Sequence, residues 1–187
     1  MDKNYFKMHI EEDLYLVYPE IRMAKEGFAL IDSDREHLGE FLDFIVNEKE
    51  SINFENYLKM QLNQIAKNRG AFYFVAIEDK LIGCVELFEI NYESNQAELG
   101  YWLHSDYTNK RIMSNVVKKI CFFAFNNLQL NKLTIVSDTE NSASSKVALN
   151  NGFKLVGVSK EDTVVHGEYR DMNYYQLFKR DFLKDQK

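Results

Sequence analysis

The sequence predicts an α+β fold: a mixed, mostly antiparallel sheet of six or seven strands with helices on both faces. Three observations predict it. Runs rich in aromatic and β-branched residues at 71–78, 81–90 and 96–103 follow one another across short polar turns, the mark of an antiparallel meander. Apolar residues at helical spacing flank that meander on both sides. After residue 96 the order strand–helix–strand asks for a parallel pair joined by a right-handed crossover.

Taken in order, residues 1–12 read as an arm or an extra strand and 14–18 as a short strand. Pro19 suits a first helical position, where its missing N–H would be unbonded anyway. Ile21, Ala24, Phe28 and Ile31 give the following helical stripe, with Gly27 as its weak point. Ser33-Asp34-Arg35-Glu36 reads as a capping box, and Leu38, Phe41, Leu42 and Ile45 share one face of the helix it would open. A third helix, about 54–68, is lined by Leu58, Leu62 and Ile65 and stops at Gly70. Asp79-Lys80 turns the first hairpin of the meander, and Asn91 to Asn95 the second.

A long helix over about 112–128 buries Ile112, Val116, Ile120, Phe123 and Ala124. The strand 132–138 follows, then a helix over 142–150 that ends before Gly152. Strands at 153–160 and 169–179 flank a turn at His166-Gly167. No internal repeat, linker or shift of composition divides the chain, so residues 1–187 are expected to form a single domain.

A chain of this length buries roughly 70% of its unfolded surface, enough for a core without disulfides or metals. Net charge is -6, which argues against a general nucleic-acid partner, since phosphate neutralisation needs a basic face. No 18-residue apolar stretch offers a membrane span, and the first residues carry no apolar signal-peptide core. Cys84 and Cys121 sit in apolar runs without a CxxC partner and read as buried free thiols in a reducing, cytoplasmic compartment. The four histidines lack metal-ligand spacing, so no metal is expected.

Ala97-Glu98-Leu99-Gly100-Tyr101-Trp102-Leu103, then a loop, a helix, a strand, Thr139-Glu140-Asn141-Ser142-Ala143-Ser144 and finally Asn151-Gly152-Phe153 resemble the GNAT acetyltransferases. Within that family the chain is most similar to the RimJ/RimL type, which acetylates the N-termini of ribosomal proteins. Residues 29–38 and His166-Gly167-Glu168-Tyr169-Arg170-Asp171 are similar to that branch as well, so the resemblance spans roughly 14–180.

The resemblance implies that acetyl-CoA binds where two parallel strands splay apart, here between 96–103 and 132–138. Its pantetheine arm would pair with backbone groups of Trp102 and Leu103, a form of strand addition; without the flanking motifs Tyr101, Trp102 and Leu103 read as a plain core strand. The pyrophosphate would sit at the start of the helix near Ile112, because helix N-termini present free N–H groups and partial positive charge. The family pattern there is Q/R-x-x-G-x-G/A. This chain has Thr108-Asn109-Lys110-Arg111-Ile112-Met113, followed by Ser114. Asn109, Lys110, Arg111, Ile112, Met113 and Ser114 are therefore the implied phosphate contacts.

Arg111 in place of glycine is a departure. Its Cβ crowds the site or disfavours a positive φ, while its guanidinium can offset that with charge. Taken alone, Lys110-Arg111 reads as a solvated turn. Asn141 and Ser144 match the family's N-x-x-S: Asn141 to hold pantetheine, Ser144 to donate a proton to the departing thiolate. Helix capping explains the same two residues and is compatible with both roles. Glu98 is the first candidate general base, provided that burial raises its pKa; a solvent-facing strand glutamate is the alternative. Glu161-Asp162 is a second candidate, although the matching family position falls on Thr163. His104 and His166 read as surface loop residues.

The implied reaction is direct transfer of acetyl from acetyl-CoA to a primary amine in a ternary complex, with the N-terminus of a ribosomal or other protein as the first acceptor. A small amine such as a polyamine or an aminoglycoside is the rival acceptor, and a non-catalytic CoA- or ligand-binding protein on the same fold is the rival from another class. Related enzymes often form homodimers, which adds a second copy of the chain to the implied partners.

Overall fold

The computed structural model describes residues 5–43 and 51–184. Along the chain come β1 (Lys7–Glu11), β2 (Leu14–Val17), a 3-10 turn (Ile21–Met23), α1 (Ala24–Asp32), α2 (Arg35–Gly39) and α3 (Ser51–Ala66). The meander β3 (Ala71–Ile77), β4 (Lys80–Asn91) and β5 (Gln96–Leu103) follows. Then come α4 (Ile112–Asn126), β6 (Lys132–Asp138), α5 (Ser142–Asn150), β7 (Lys154–Val165), β8 (Glu168–Phe178) and α6 (Lys179–Phe182).

The strands form one sheet in the order β1-β2-β3-β4-β5-β6-β8-β7. Every pairing is antiparallel except β5–β6. The period-2 alternation of each strand feeds two cores. Phe72, Phe74, Ala76, Cys84 and Trp102 pack under α1, α2 and α3 with Met23, Leu30, Leu38, Phe54 and Leu58. Val75, Val85, Leu87, Leu99 and Leu103 pack under α4 and α5 with Val116, Ile120, Ala124 and Ala148.

The sheet has eight strands rather than six or seven. The extra one is β1, where the N-terminal arm takes up the free edge of β2 in the register Lys7–Val17 to Glu11–Leu14. β7 runs past residue 160 to Val165, because an irregularity between Ser159 and Thr163, with Glu161 at φ 51, lets the strand resume pairing. The first hairpin turns one residue earlier than expected, on a left-handed Glu78, so Lys80 already belongs to β4.

The first helical region departs further. Pro19 does not open a helix: the extended Glu20 separates it from the 3-10 turn that precedes α1. Gly27 is a point of close approach, since a Cβ there would lie 2.3 Å from Cε1 of the buried Phe54 ring. The capping box does not form. Ser33 instead closes α1, its Oγ donating to Leu30 O at 2.8 Å. Asp34 takes the N-cap position of α2 but caps nothing, because Ser105 N–H and Oγ both donate to its carboxylate at 2.7 Å. α2 stops at Gly39, whose carbonyl accepts from His166 Nε2 at 2.7 Å. Phe41 and Leu42 thus fall beyond the helix, and Ile45 lies outside the described residues.

Candidate active site

The parallel ladder between β5 and β6 is three residues long: Gln96–Lys132, Ala97–Leu133 and Glu98–Thr134. Beyond it the strands separate. β5 stays with β4 as far as Leu103–Gly83, and β6 stays with β8 as far as Asp138–Met172. A wedge therefore opens from Leu99 and Ile135 onward, with one free backbone edge on each side.

Antiparallel pairs alternate, so only every second residue of β5 turns its N–H and C=O into that wedge. His104 N–H donates to Ile82 O at 2.9 Å. Two residues back, Trp102 is therefore bonded to Cys84, and a Cβ on Gly83 would lie 2.3 Å from Trp102 O. The backbone groups facing the wedge belong to Leu99, Tyr101 and Leu103. This corrects the sequence-based expectation for Trp102, whose backbone is spent on β4 and whose ring is buried under α1 and α3. Leu103 keeps the expected orientation.

At the mouth of the wedge, α4 begins with Arg111 at its N-cap in the left-handed region (φ 61, ψ 2), and Asn109 is left-handed too at φ 60. The positive φ that favours glycine is thus present without one. The first-turn N–H groups, from Ile112 to Ser114, have no intrahelical acceptor. Arg111 is exposed. Lys110 Nζ donates to Asp106 O at 2.8 Å, which ties it to its own loop. Met113 is buried in the α4 core, so only its backbone can face a ligand.

On the far side of the wedge, α5 starts at Asn141, whose Oδ1 accepts from Ser144 N–H at 2.9 Å. The capping role is therefore filled. Ser144 Oγ lies 3.0 Å from the hydroxyl of Tyr101, which reaches from the released part of β5 to the first turn of α5. Burial pushes the Tyr101 phenol well above its usual value, so it stays protonated at any working pH. Ser137, on the released part of β6, has a buried hydroxyl with no partner among the described residues. Free strand edges, an orphan hydroxyl and an unsaturated helix start fit the extended amide chain and phosphates of acetyl-CoA.

Glu98 is the last β5 residue paired with β6 and projects to the α1–α3 face, opposite Leu99 and Leu103. Burial, then the charges of Glu89, Asp162 and Glu86, raise its pKa to about 7. Asp162, within β7 rather than past its end, accepts from Tyr174 OH at 3.0 Å. Thr163 pairs with Arg170 in the β7–β8 ladder. Glu86 faces the same side from β4, its Oε2 accepting from Gln61 Nε2 at 2.7 Å and Tyr57 OH at 3.3 Å.

An open cleft of about 660 Å³ adjoins, between α2 and the β7–β8 turn, lined by Arg35, Glu36, Glu40, Glu140, His166 and Arg170. Arg170 is fixed there by Asp138 at 2.7 Å and Glu140 at 2.6 Å. His104 is held by Asp106 N–H and Ser33, and His166 by Gly39, so both are structural. Burial pushes both cysteine thiols up, which leaves neither as a thiolate nucleophile. Among the described residues no group of acidic, His and Cys side chains is placed to hold a metal ion, and no helix is long and apolar enough to cross a membrane.

Sequence reasoning missed Tyr101, Ser137 and the Glu86–Tyr57–Gln61 group. Strand alternation was the available signal for Glu86, since its partner Gly100 is two residues from Glu98. For Tyr101 and Ser144, 43 residues apart, no local pattern exists.

A family model described as the acetyltransferase (GNAT) domain matches residues 14–154. The ribosomal-protein-serine acetyltransferase of Escherichia coli (strain K12) is 27% identical over 137 residues, 68% of this chain and 76% of that protein. The spermidine N(1)-acetyltransferase of the same organism is 26% identical over 115 residues, 62% of each chain. The solved structure of RimL, a ribosomal L7/L12 alpha-N-protein acetyltransferase in complex with coenzyme A, superposes with a TM-score of 0.89 at 19% identity, over 92% of this chain and 97% of that one.

Proposed function

The chain belongs to the GNAT acetyltransferase family, and from that premise we propose that the acceptor of its N-acetyltransferase reaction is the N-terminal α-amine of a protein, a ribosomal protein first. One observation carries this reading: Glu98, with a pKa of about 7, stands at the point where β5 and β6 part. An α-amine titrates at about 7.7–8.0, so Glu98 falls roughly one unit short of it as a proton acceptor. A lysine or polyamine amine, at about 10.4, lies more than three units above that base, a further cost of about 3.5 kcal/mol. The site is matched to the weaker amine.

Bound in the wedge, acetyl-CoA supplies the acetyl group as a thioester. Leu103 and Tyr101 offer their backbone edge to its pantetheine arm, and Asn141 offers its amide N–H groups. Asn109, Lys110, Arg111, Ile112, Met113 and Ser114 surround its phosphates, with Arg111 as the side-chain contact and the others through backbone or loop shape. A wedge-facing N–H of Leu99 or Tyr101 polarises the thioester carbonyl. Glu98 takes one proton from the acceptor ammonium. The freed amine attacks the carbonyl carbon and a C–N bond forms; as the C–S bond breaks, the nitrogen sheds its second proton to water and leaves the neutral amide. Ser144, held in place by the Tyr101 hydroxyl, gives a proton to the leaving sulfur and regains one from water. Transfer is direct, because neither buried cysteine is available as a nucleophile.

A small polyamine is the second reading, favoured by the carboxylates Glu86, Glu89 and Asp162 around Glu98. We further read residues 1–187 as one catalytic unit acting in the cytoplasm, without a direct nucleic-acid or membrane partner and with a homodimer as its assembly.

Calorimetric titration with acetyl-CoA and with dephospho-CoA, coupled to thiol release on adding a peptide with a free N-terminus, tests the reading. Micromolar binding and peptide-dependent thiol release are expected. Thiol release unaffected by blocking the peptide α-amine would overturn the acceptor assignment.

A further inference from the structure

Glu86 is a charged side chain in an otherwise apolar stretch of β4, and the transfer chemistry described above leaves it without a task. It pairs across the sheet with Gly100, while Glu98 pairs with Phe88, so the two carboxylates are diagonal neighbours on one face, a separation long side chains span. Its two oxygens are unequal. Oε2 is clamped from α3 by Gln61 Nε2 at 2.7 Å and Tyr57 OH at 3.3 Å. Among the described residues no donor reaches Oε1. That oxygen lies over Gly100, 3.6 Å from where a Cβ would stand. Gly100 is part of β5 just after it leaves β6. A side chain at 100 would meet both Oε1 and the Phe88 ring, whose Cε1 lies 3.1 Å from the Cβ position; glycine keeps that space free.

We propose that Glu86 is the acceptor-binding carboxylate: its free Oε1 receives the acceptor's ammonium group over Gly100 and presents it to Glu98. The inference rests on the reading of Glu98 as the base. The clamp serves this task in two ways. Burial raises the Glu86 pKa, both donors act against that rise in favour of the ionised carboxylate, and by engaging one oxygen they fix the direction of the other. A primary ammonium carries three N–H donors, so it can engage Glu86 and Glu98 together, and the site selects unsubstituted primary amines. The charges facing Glu98 are Glu86 and Glu89 from β4, Asp162 from β7 and the Tyr174 phenol from β8; no cation among the described residues is paired with it. The incoming ammonium supplies the missing positive charge.

The test is steady-state kinetics of the full chain with acetyl-CoA and a primary-amine peptide, for wild type, Glu86→Gln, Gly100→Ala and Glu98→Gln, with melting temperatures confirming folding. Glu86→Gln is expected to raise the amine KM about 10- to 100-fold, the loss of one charge-assisted bond, with kcat within about threefold. It should leave acetyl-CoA affinity unchanged and shift the acid limb of the pH profile to lower pH. Gly100→Ala keeps the carboxylate but covers Oε1, so it should raise the amine KM without shifting the acid limb. An unchanged KM and acid limb in folded Glu86→Gln would overturn the assignment while leaving Glu98 in place. Full turnover by Glu98→Gln would instead remove the reading on which it rests.

Discussion

The hydroxyls of Tyr101 and Ser144 lie 3.0 Å apart, joining β5 to the first turn of α5 across the wedge between β5 and β6. The pair stands on the side of the wedge opposite Glu98, and in the proposed reaction base and acid therefore flank the carbonyl. Ser144→Ala removes the proposed donor and Tyr101→Phe the hydroxyl that holds it. Each should lower kcat, Ser144→Ala by about 10²- to 10⁴-fold, with acetyl-CoA affinity by calorimetry within about twofold. Equal losses of kcat and affinity would make the pair a binding device.

As the proposed base, Glu98 is expected to set the pH dependence. Burial raises its folded pKa to about 7, from the 4.5 of a free glutamate. Below pH 7 it is protonated and cannot accept a proton, so kcat/KM should fall on the acid side with an apparent pKa near 7. Glu98→Gln should abolish that limb along with most turnover. A carboxyl whose pKa is raised by folding costs stability as pH rises from the unfolded value to the folded one. The glutamine variant should therefore melt higher than wild type at pH 8, and that gain should vanish near pH 4.

Arg111 predicts opposite signs for stability and binding. A non-glycine residue in the left-handed region costs roughly 1 kcal/mol, so Arg111→Gly should raise the melting temperature by a few degrees. The same change removes the one exposed cation at the N-cap of α4, and acetyl-CoA affinity should drop about 3- to 10-fold, more at low salt than at high. Tighter binding by the glycine variant would show that the side chain crowds the phosphates.

Gly83→Ala tests the β4–β5 register. The new methyl would lie 2.3 Å from Trp102 O and 3.1 Å from Leu103 Cα, both backbone atoms. Overpacking of this kind costs about 1–3 kcal/mol. It would also shift the strand edge that lines the wedge, so the variant should lose acetyl-CoA affinity as well as thermal stability.

β5, β6 and α5 were legible to the residue: they begin and end where the alternation and turn residues set them. Local signals suffice there because each element is bounded by its own polar turn. They fail where a tertiary partner outcompetes the local one. Ser33 and Glu36 spell a capping box, yet Asp34 is drawn to Ser105 and Ser33 closes the preceding helix. At the site, Glu98 was readable because a single strand places it. The partners that define its chemistry, Glu86 across the sheet and Asp162 in β7, come from distant positions. Trp102 shows the limit of motif matching: the motif names the right strand, but the ladder's parity gives the wedge to Tyr101 and Leu103.

The proposed reaction is transfer of acetyl from acetyl-CoA to an α-amine by a site tuned to that amine. An equimolar competition at pH 7, with acetyl-CoA, a serine-initiated peptide and spermidine, followed by mass spectrometry, tests it most directly. The account predicts acetylation at the peptide N-terminus, with spermidine modified at a small fraction of that rate. Preferential acetylation of spermidine, or acetyl groups found on lysine side chains alone, would contradict it.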